Sequence, residues 1–352
     1  MSLSFLEHYK KKSALISKSL SIAEQRVFQN THNIELGIKD NASNNIELSK
    51  YSCTQHKFYE DLITNKLKGL TIEEFDNLKK ITLKVSEITK NLGNENNVKS
   101  SLINAIYQKR IFETFFDNNS KVLEVGGGSG YLSLLLALSD YKISLYDVTE
   151  GYYLFQNLLF GSFDINNELA EENSNFKDEK NKINHIPWWE FRNLNEKTIK
   201  FDVLMVNNAI CEFNEFALVF LFNFICKNTG YPKIIFIGSG KEHLNKMYEV
   251  KNLLKIYNYK IIKNQTFDGE HEVYNFEYIE NYSKQIENKY IRKFKSLTKK
   301  LEINFFSSDI NNEKLDIGSG EVNLNELNKF YSDNKIKDNL ELEFYKKLST
   351  SK

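Results

Sequence analysis

Proline is almost missing from this chain, two residues in 352. That excludes proline-rich and collagen-like architectures and leaves helices without their strongest internal breaker. Cysteine is nearly as scarce: Cys53, Cys211 and Cys226 show no C-x-x-C spacing. Neither a disulfide framework nor a zinc site is expected, and unpaired thiols suit a reducing cytoplasm. No charge sign is in excess, with Lys+Arg and Asp+Glu at 47 each, so no net field draws the chain to nucleic acid or an anionic membrane. The first twelve residues are polar and charged, without the apolar centre of a signal peptide. No uncharged run reaches membrane-spanning length; residues 203–225 come closest and are interrupted by Glu212 and Glu215. What remains is a globular chain with room for a substantial core in one large domain or two modest ones.

The most telling stretch that is present is Lys121-Val122-Leu123-Glu124-Val125-Gly126-Gly127-Gly128-Ser129-Gly130. An apolar run climbs to an acid, breaks into glycines spaced G-x-G-x-G, and passes into the apolar segment Tyr131 to Leu138. Glycines permit positive φ and close approach of backbone to a ligand, and the N–H groups of the following helix point at it. Seventeen residues after Gly130, a second apolar run ends in Asp147. Strand, glycine turn, helix and acid-terminated strand make a nucleoside half-site, with the acid placed for ribose hydroxyls. The dinucleotide fingerprint G-x-G-x-x-G fails, because its third position falls on Tyr131 or Ser133. Glu124 would also repel a pyrophosphate. It suits a ligand without phosphates and with a positive centre, such as S-adenosylmethionine.

Glu124-x-Gly126-x-Gly128-x-Gly130 resembles motif I of the class I S-adenosylmethionine-dependent methyltransferases, with Asp147 where that family keeps its ribose-binding acid. The wider stretch is similar to the sugar O-methyltransferases of bacterial polysaccharide pathways. Three segments carry that likeness: Leu145 to Glu150, the helix Tyr152 to Phe160 with Gln156, and Asp202 to Phe213. It covers roughly the middle half of the chain and departs at Phe213, where Met is expected after Glu212. The resemblance implies S-adenosylmethionine as cofactor, a small-molecule substrate, and a sheet whose last strand runs antiparallel.

Around this centre, residues 1–115 read as a mostly helical cap, 116–282 as the methyltransferase domain and 283–352 as a C-terminal helical appendage. Thr71 with Glu74 forms a capping-box signature, opening an apolar stripe that ends before Gly93. Ser101 is expected to cap the next helix, and Asn323 with Glu326 a late one. Strand candidates at 121–125, 142–146, 182–186, 201–206, 233–237, 258–263 and 273–279 alternate with helical segments. The expected fold is therefore α/β, a Rossmann-like doubly wound seven-stranded sheet. Residues 30–51 read as loop or lid.

Methylating a hydroxyl requires a base near the carboxyl ends of the strands. Two candidates stand for that base, His185 at the end of the third strand and Glu212 after the fourth. A third catalytic candidate, His271 in Asp268-Gly269-Glu270-His271-Glu272, could with its acids bind a divalent metal that holds a sugar diol. Each has a plainer reading, as a core histidine, a helix cap and a solvated turn. Trp188 and Trp189 follow His185 as a sugar-stacking or core pair, and His243 is a lesser candidate. Glu124, Gly126, Gly128, Gly130, Asp147 and Asn208 are the expected cofactor contacts. Ala209 and Ile210 replace both prolines of the Asp/Asn-Pro-Pro-aromatic motif, which counts against amino-directed nucleic-acid methylation. The expectation is a cytoplasmic O-methyltransferase for a sugar or sugar nucleotide, with no metal-ligating residue assigned and a homodimer as the candidate assembly. A methyltransferase for another alcohol or amine, or a non-catalytic subunit of the same fold, are the alternatives.

Overall fold

A computed structural model of the chain describes residues 48–49, 51–52, 59–93, 99–147, 150–163, 165, 182–187, 200–207, 209–210, 213, 215–238, 244–267, 271–282 and 315–336. Seven strands form one sheet: β1 (Lys121–Val125), β2 (Lys142–Tyr146), β3 (Ile183–Ile186), β4 (Val203–Met205), β5 (Lys233–Ile237), β6 (Tyr259–Phe267) and β7 (His271–Tyr278), in the order β3-β2-β1-β4-β5-β7-β6. The β1–β2, β2–β3 and β4–β5 pairs are parallel, whereas β7 runs antiparallel to both β5 and β6. This is the Rossmann-like doubly wound arrangement. Helices cross over between the parallel strands, as parallel pairing demands. Both sheet faces are therefore covered, and β1, β2 and β5 are buried at every position after a leading lysine.

Strand bounds differ from the pattern at β3, which starts one residue later, at β4, which is confined to Val203–Met205 within the expected 201–206, and most of all at β6 and β7. β6 continues to Phe267 and β7 starts at His271, because the two pair out to Phe267↔His271. The extension runs through Lys263, Asn264 and Gln265, polar residues held in the ladder by their partner strand rather than by any apolar alternation.

The described residues divide into two compact units, one within Glu35–Arg192 and Asp316–Lys352 and the other within Asn193–Leu315. In the first, α1 (Ile72–Asn91) opens with the expected capping box: Glu74 N–H donates to Thr71 Oγ1 at 3.2 Å and Thr71 N–H to Glu74 Oε2 at 2.8 Å. Leu78, Ile81 and Val85 form its buried stripe. The next helix, α2 (Lys99–Glu113), starts before Ser101, which lies buried inside its first turn and is not the cap expected. α2 is buried all round from Ser100 to Phe112, so its cations need partners. Lys109 pairs with Glu113 at 2.7 Å. Arg110 donates to both Glu74 oxygens, at 2.6 and 2.5 Å, and to the carbonyls of Leu67 and Gly69 at 2.8 and 2.9 Å.

Residues 316–336 belong to this same unit. Leu70 and Val322 exchange both backbone hydrogen bonds, at 2.9 and 3.0 Å. Gly320 lies so close that an added Cβ would stand 2.0 Å from the Leu70 carbonyl carbon. The helix that follows, called α7 below (Leu324–Asp333), carries the expected Asn323–Glu326 capping box. It sets Tyr331 edge-on to Tyr59 and accepts a hydrogen bond from the Tyr59 hydroxyl at Asn328 Oδ1, 2.9 Å away.

In the second unit, α5 (Glu215–Asn228) and α6 (Leu244–Ile256) flank β4, β5, β7 and β6. The Asn207 side-chain oxygen after β4 accepts from the Ile237 N–H at the end of β5, 3.2 Å away. Among the described residues no helix is long and apolar enough to cross a membrane, and no cluster of His, Cys, Asp and Glu has metal-holding geometry.

Candidate cofactor site

β1, β2 and their helices α3 (Tyr131–Leu138) and α4 (Glu150–Gly161) build the glycine turn. The ladder runs one residue past β1, with Gly126 N–H donating to the Tyr146 carbonyl at 2.9 Å. The chain then reverses through Gly126, Gly128 and Gly130 at φ of 77°, 55° and 79°. A side chain at any of the three would strain the backbone. Gly127 is restricted for a different reason: an added Cβ would stand 2.4 Å from Leu145 Cδ1. Gly130 combines both limits, since its Cβ would meet Gln156 Cγ and Phe160 Cζ at 2.9 Å each.

Two acids stand at the ends of the adjacent strands β1 and β2. Glu124 is 2% exposed and accepts a hydrogen bond from the Ser133 hydroxyl on α3. Burial raises its pKa to about 7; the Ser133 bond pulls the other way, and the Asp147 charge adds to the rise. Asp147, also buried, accepts from Gly128 N–H at 3.1 Å through Oδ2. One carboxylate is thus bonded to the turn itself, while the other lies within its electrostatic reach. The pair disfavours anions and favours a cation or a hydroxyl donor.

The turn is also clamped from α4. Gln156, fully buried, donates from Nε2 to the Gly128 carbonyl at 2.5 Å. Its Oε1 lies 2.6 Å from His185 Nε2. His185, 4% exposed, stacks on Tyr153 with ring centroids 4.0 Å apart and meets Phe160 edge-on at 5.6 Å. Burial lowers its pKa to about 3, so the ring is neutral at physiological pH. Those surroundings differ from the ones expected of a base, which works best with a pKa near the operating pH.

Residues 51 and 52 reach the same turn. Ser129 Oγ donates to the Tyr51 carbonyl at 2.8 Å and the Tyr131 hydroxyl to the Ser52 carbonyl at 2.6 Å. The Tyr51 ring packs against Gly151, where an added Cβ would lie 2.1 Å from it, and edge-on to Tyr152 at 4.9 Å.

The fold therefore gathers Glu124, Gly126, Gly128, Gly130, Asp147 and His185 into one cluster of the first unit. His271 is the first residue of β7, in the second unit, and its side chain is not among the described ones. Asn208, Glu212, Trp188, Trp189 and His243 lie outside the described residues. Spacing alone did not single out Ser133 or Gly127, nor the clamping part of Gln156. For the two polar residues a signal existed: Ser133 is the one polar side chain inside Leu132–Ala137, and Gln156 follows Tyr153-Leu154-Phe155. A polar residue in so apolar a helix is buried and must find a partner.

Neither a family model nor a curated protein matches the chain. Among solved structures it is similar to a TehB-like S-adenosylmethionine-dependent methyltransferase from Corynebacterium glutamicum, at 11% identity over 49% of this chain and 87% of that one, TM-score 0.36. It is also similar to a methyltransferase from Aquifex aeolicus, at 15% identity over 49% and 89%, TM-score 0.36. A third is the magnesium protoporphyrin IX methyltransferase ChlM from Synechocystis with bound S-adenosylmethionine, at 12% over 59% and 93%, TM-score 0.34. Likenesses at this level specify neither an activity nor a substrate for this chain.

Proposed function

We propose that the chain is an S-adenosylmethionine-dependent methyltransferase acting on a hydroxyl of a small molecule, with a sugar or sugar nucleotide as the substrate class. One observation carries the cofactor reading. Two buried acids, Glu124 and Asp147, stand at the ends of adjacent parallel strands around a turn whose three spaced glycines all have positive φ. This donor set fits a nucleoside that has a positive centre and no phosphate. Asp147 would hold the ribose hydroxyls and Glu124 would support the ammonium-bearing end. Acids in those places oppose the pyrophosphate of a dinucleotide.

The bound cofactor supplies an electrophilic methyl group: the acceptor oxygen bonds to carbon while the carbon–sulfur pair leaves with sulfur. The protein's task is chiefly orientation, together with acceptance of the hydroxyl proton. Glu212 is the proposed acceptor of that proton, and His271 is kept as a further candidate catalytic residue. The neutral, ring-packed His185 is assigned a part in holding the turn. The sugar hydroxyl rests on the motif resemblance of the middle of the chain.

Calorimetric titration with S-adenosylhomocysteine, with NADH as control, tests the cofactor. A dissociation constant of about micromolar for the former alone supports the proposal; NADH binding, or no binding of either, overturns it. Transfer of labelled methyl to sugar nucleotides, against a panel of other alcohols and amines, tests the substrate class.

A further inference from the structure

We infer that Gln156 and His185 are positioning residues: the buried pair holds the Gly128 carbonyl and thereby sets the shape of the cofactor-binding turn. The inference rests on the cofactor reading for its functional meaning and on the hydrogen-bond geometry for its substance.

The polarity of the chain follows from donor chemistry. The Gly128 carbonyl can only accept, so the Gln156 group facing it at 2.5 Å must be the NH2. The Gln156 oxygen is then the atom turned to His185, 2.6 Å away, and His185 Nε2 must carry the proton. A carbonyl thus dictates the orientation of an amide, and the amide dictates a tautomer. Burial keeps the ring uncharged, and His185 Nδ1 has no hydrogen-bond partner among the described residues. The stack on Tyr153 and the edge contact with Phe160 fix the ring plane.

The consequence falls on Gly128. Its N–H is held by Asp147 at 3.1 Å and its carbonyl by Gln156 at 2.5 Å. The two peptide groups flanking its Cα are therefore tied from different elements, β2's terminal acid and α4. The stem of Gln156 also occupies the space that a side chain at Gly130 would need. One side chain touches two of the three spaced glycines. An amide serves here because a carboxylate would set lone pairs against the Gly128 carbonyl, and an apolar residue would leave that carbonyl and the His185 N–H without partners.

The test uses the full chain as wild type, Gln156→Leu and Gln156→Glu. S-adenosylhomocysteine affinity is read at about pH 6 and about pH 9, a span chosen to bracket a buried carboxyl. Histidine nitrogen spectra and exchange of the Gly128 amide are recorded on the same proteins. Expected are a neutral His185 protonated on Nε2 in wild type and a loss of about tenfold or more in affinity in the leucine variant. In the glutamate variant the protonated carboxyl donates to Gly128 at the lower pH, giving affinity near wild type. The ratio to wild type then falls by about tenfold or more at the higher pH. That pH-dependent ratio does not arise if residue 156 merely fills space. A flat ratio, or undiminished binding by the leucine variant, overturns the inference. If the leucine variant does not fold, the glutamate series decides alone. If wild type binds no S-adenosylhomocysteine, the cofactor reading fails, and the spectra judge the clamp separately. Faster Gly128 exchange and an altered His185 tautomer on substitution uphold it; unchanged ones overturn it.

Discussion

Glu124 and His185 lie in the same buried cluster and respond to acid in opposite senses. Glu124 has a folded pKa of about 7 against 4.5 unperturbed. The folded state thus takes up its proton first, and stability from this group grows as pH falls from about 7 to 4.5. His185 has a folded pKa of about 3 against 6.5. The folded state refuses its proton, so stability is lost as pH falls from 6.5 towards 3. Each slope is about 1.4 kcal/mol per pH unit, and the two oppose each other between 6.5 and 4.5. Glu124→Gln should therefore lose stability, relative to wild type, as pH drops across that window, whereas His185→Phe should gain. Unfolding midpoints in denaturant at both ends of the window read the difference; equal pH profiles for all three proteins would contradict the assignment. Asp147→Asn should weaken S-adenosylhomocysteine binding by about tenfold, one charge-assisted hydrogen bond. Unchanged affinity in calorimetry would remove Asp147 from the ribose role.

At the scale of elements, the junction of α1 and α2 concentrates its polar energy on one ion pair. Glu74 caps α1 and also receives Arg110 through both oxygens, while the same guanidinium binds two carbonyls of the preceding turn. Arg110→Ala leaves a buried carboxylate without its counter-charge and takes a donor from two carbonyls, and should cost about 3–5 kcal/mol in denaturant unfolding. Arg110→Lys should recover little of this, because a point charge cannot reproduce the planar fork. Thr71→Ala removes only the cap hydroxyl and should cost about 1 kcal/mol. A loss no larger in the arginine variants than in the threonine variant would contradict this ranking.

Across the whole molecule, the C-terminal segment 316–336 packs onto residues of the first unit far away in sequence. Leu327 and Tyr331 on α7 are buried, at 0% and 2% exposure, and Val322 pairs with Leu70. Leu327→Ala should cost about 2–5 kcal/mol, and removing the chain after residue 314 should destabilise the first unit by more. Unfolding followed by tryptophan-independent circular dichroism would show it; an unchanged midpoint would mean the segment adds nothing. Much of the molecule was nevertheless legible in the linear pattern. The mainly apolar runs at 121–125, 142–146 and 233–237 are the strands β1, β2 and β5 to the residue, because parallel strands covered on both faces read as near-continuous apolar runs. Both capping boxes were visible too, since a cap lies within three residues of its partner. The sequence by itself thus determined the strand–turn–helix of the glycine motif, the acid after β2 and the two helix starts with capping boxes, all set by neighbours close along the chain. Only the tertiary structure decided that Gln156 clamps Gly128, that His185 is neutral and that Arg110 joins Glu74, contacts spanning 28, 29 and 36 residues. Burial and partnership are properties of the packed whole, and a one-dimensional pattern records neither the distance between two side chains nor the loss of water around them.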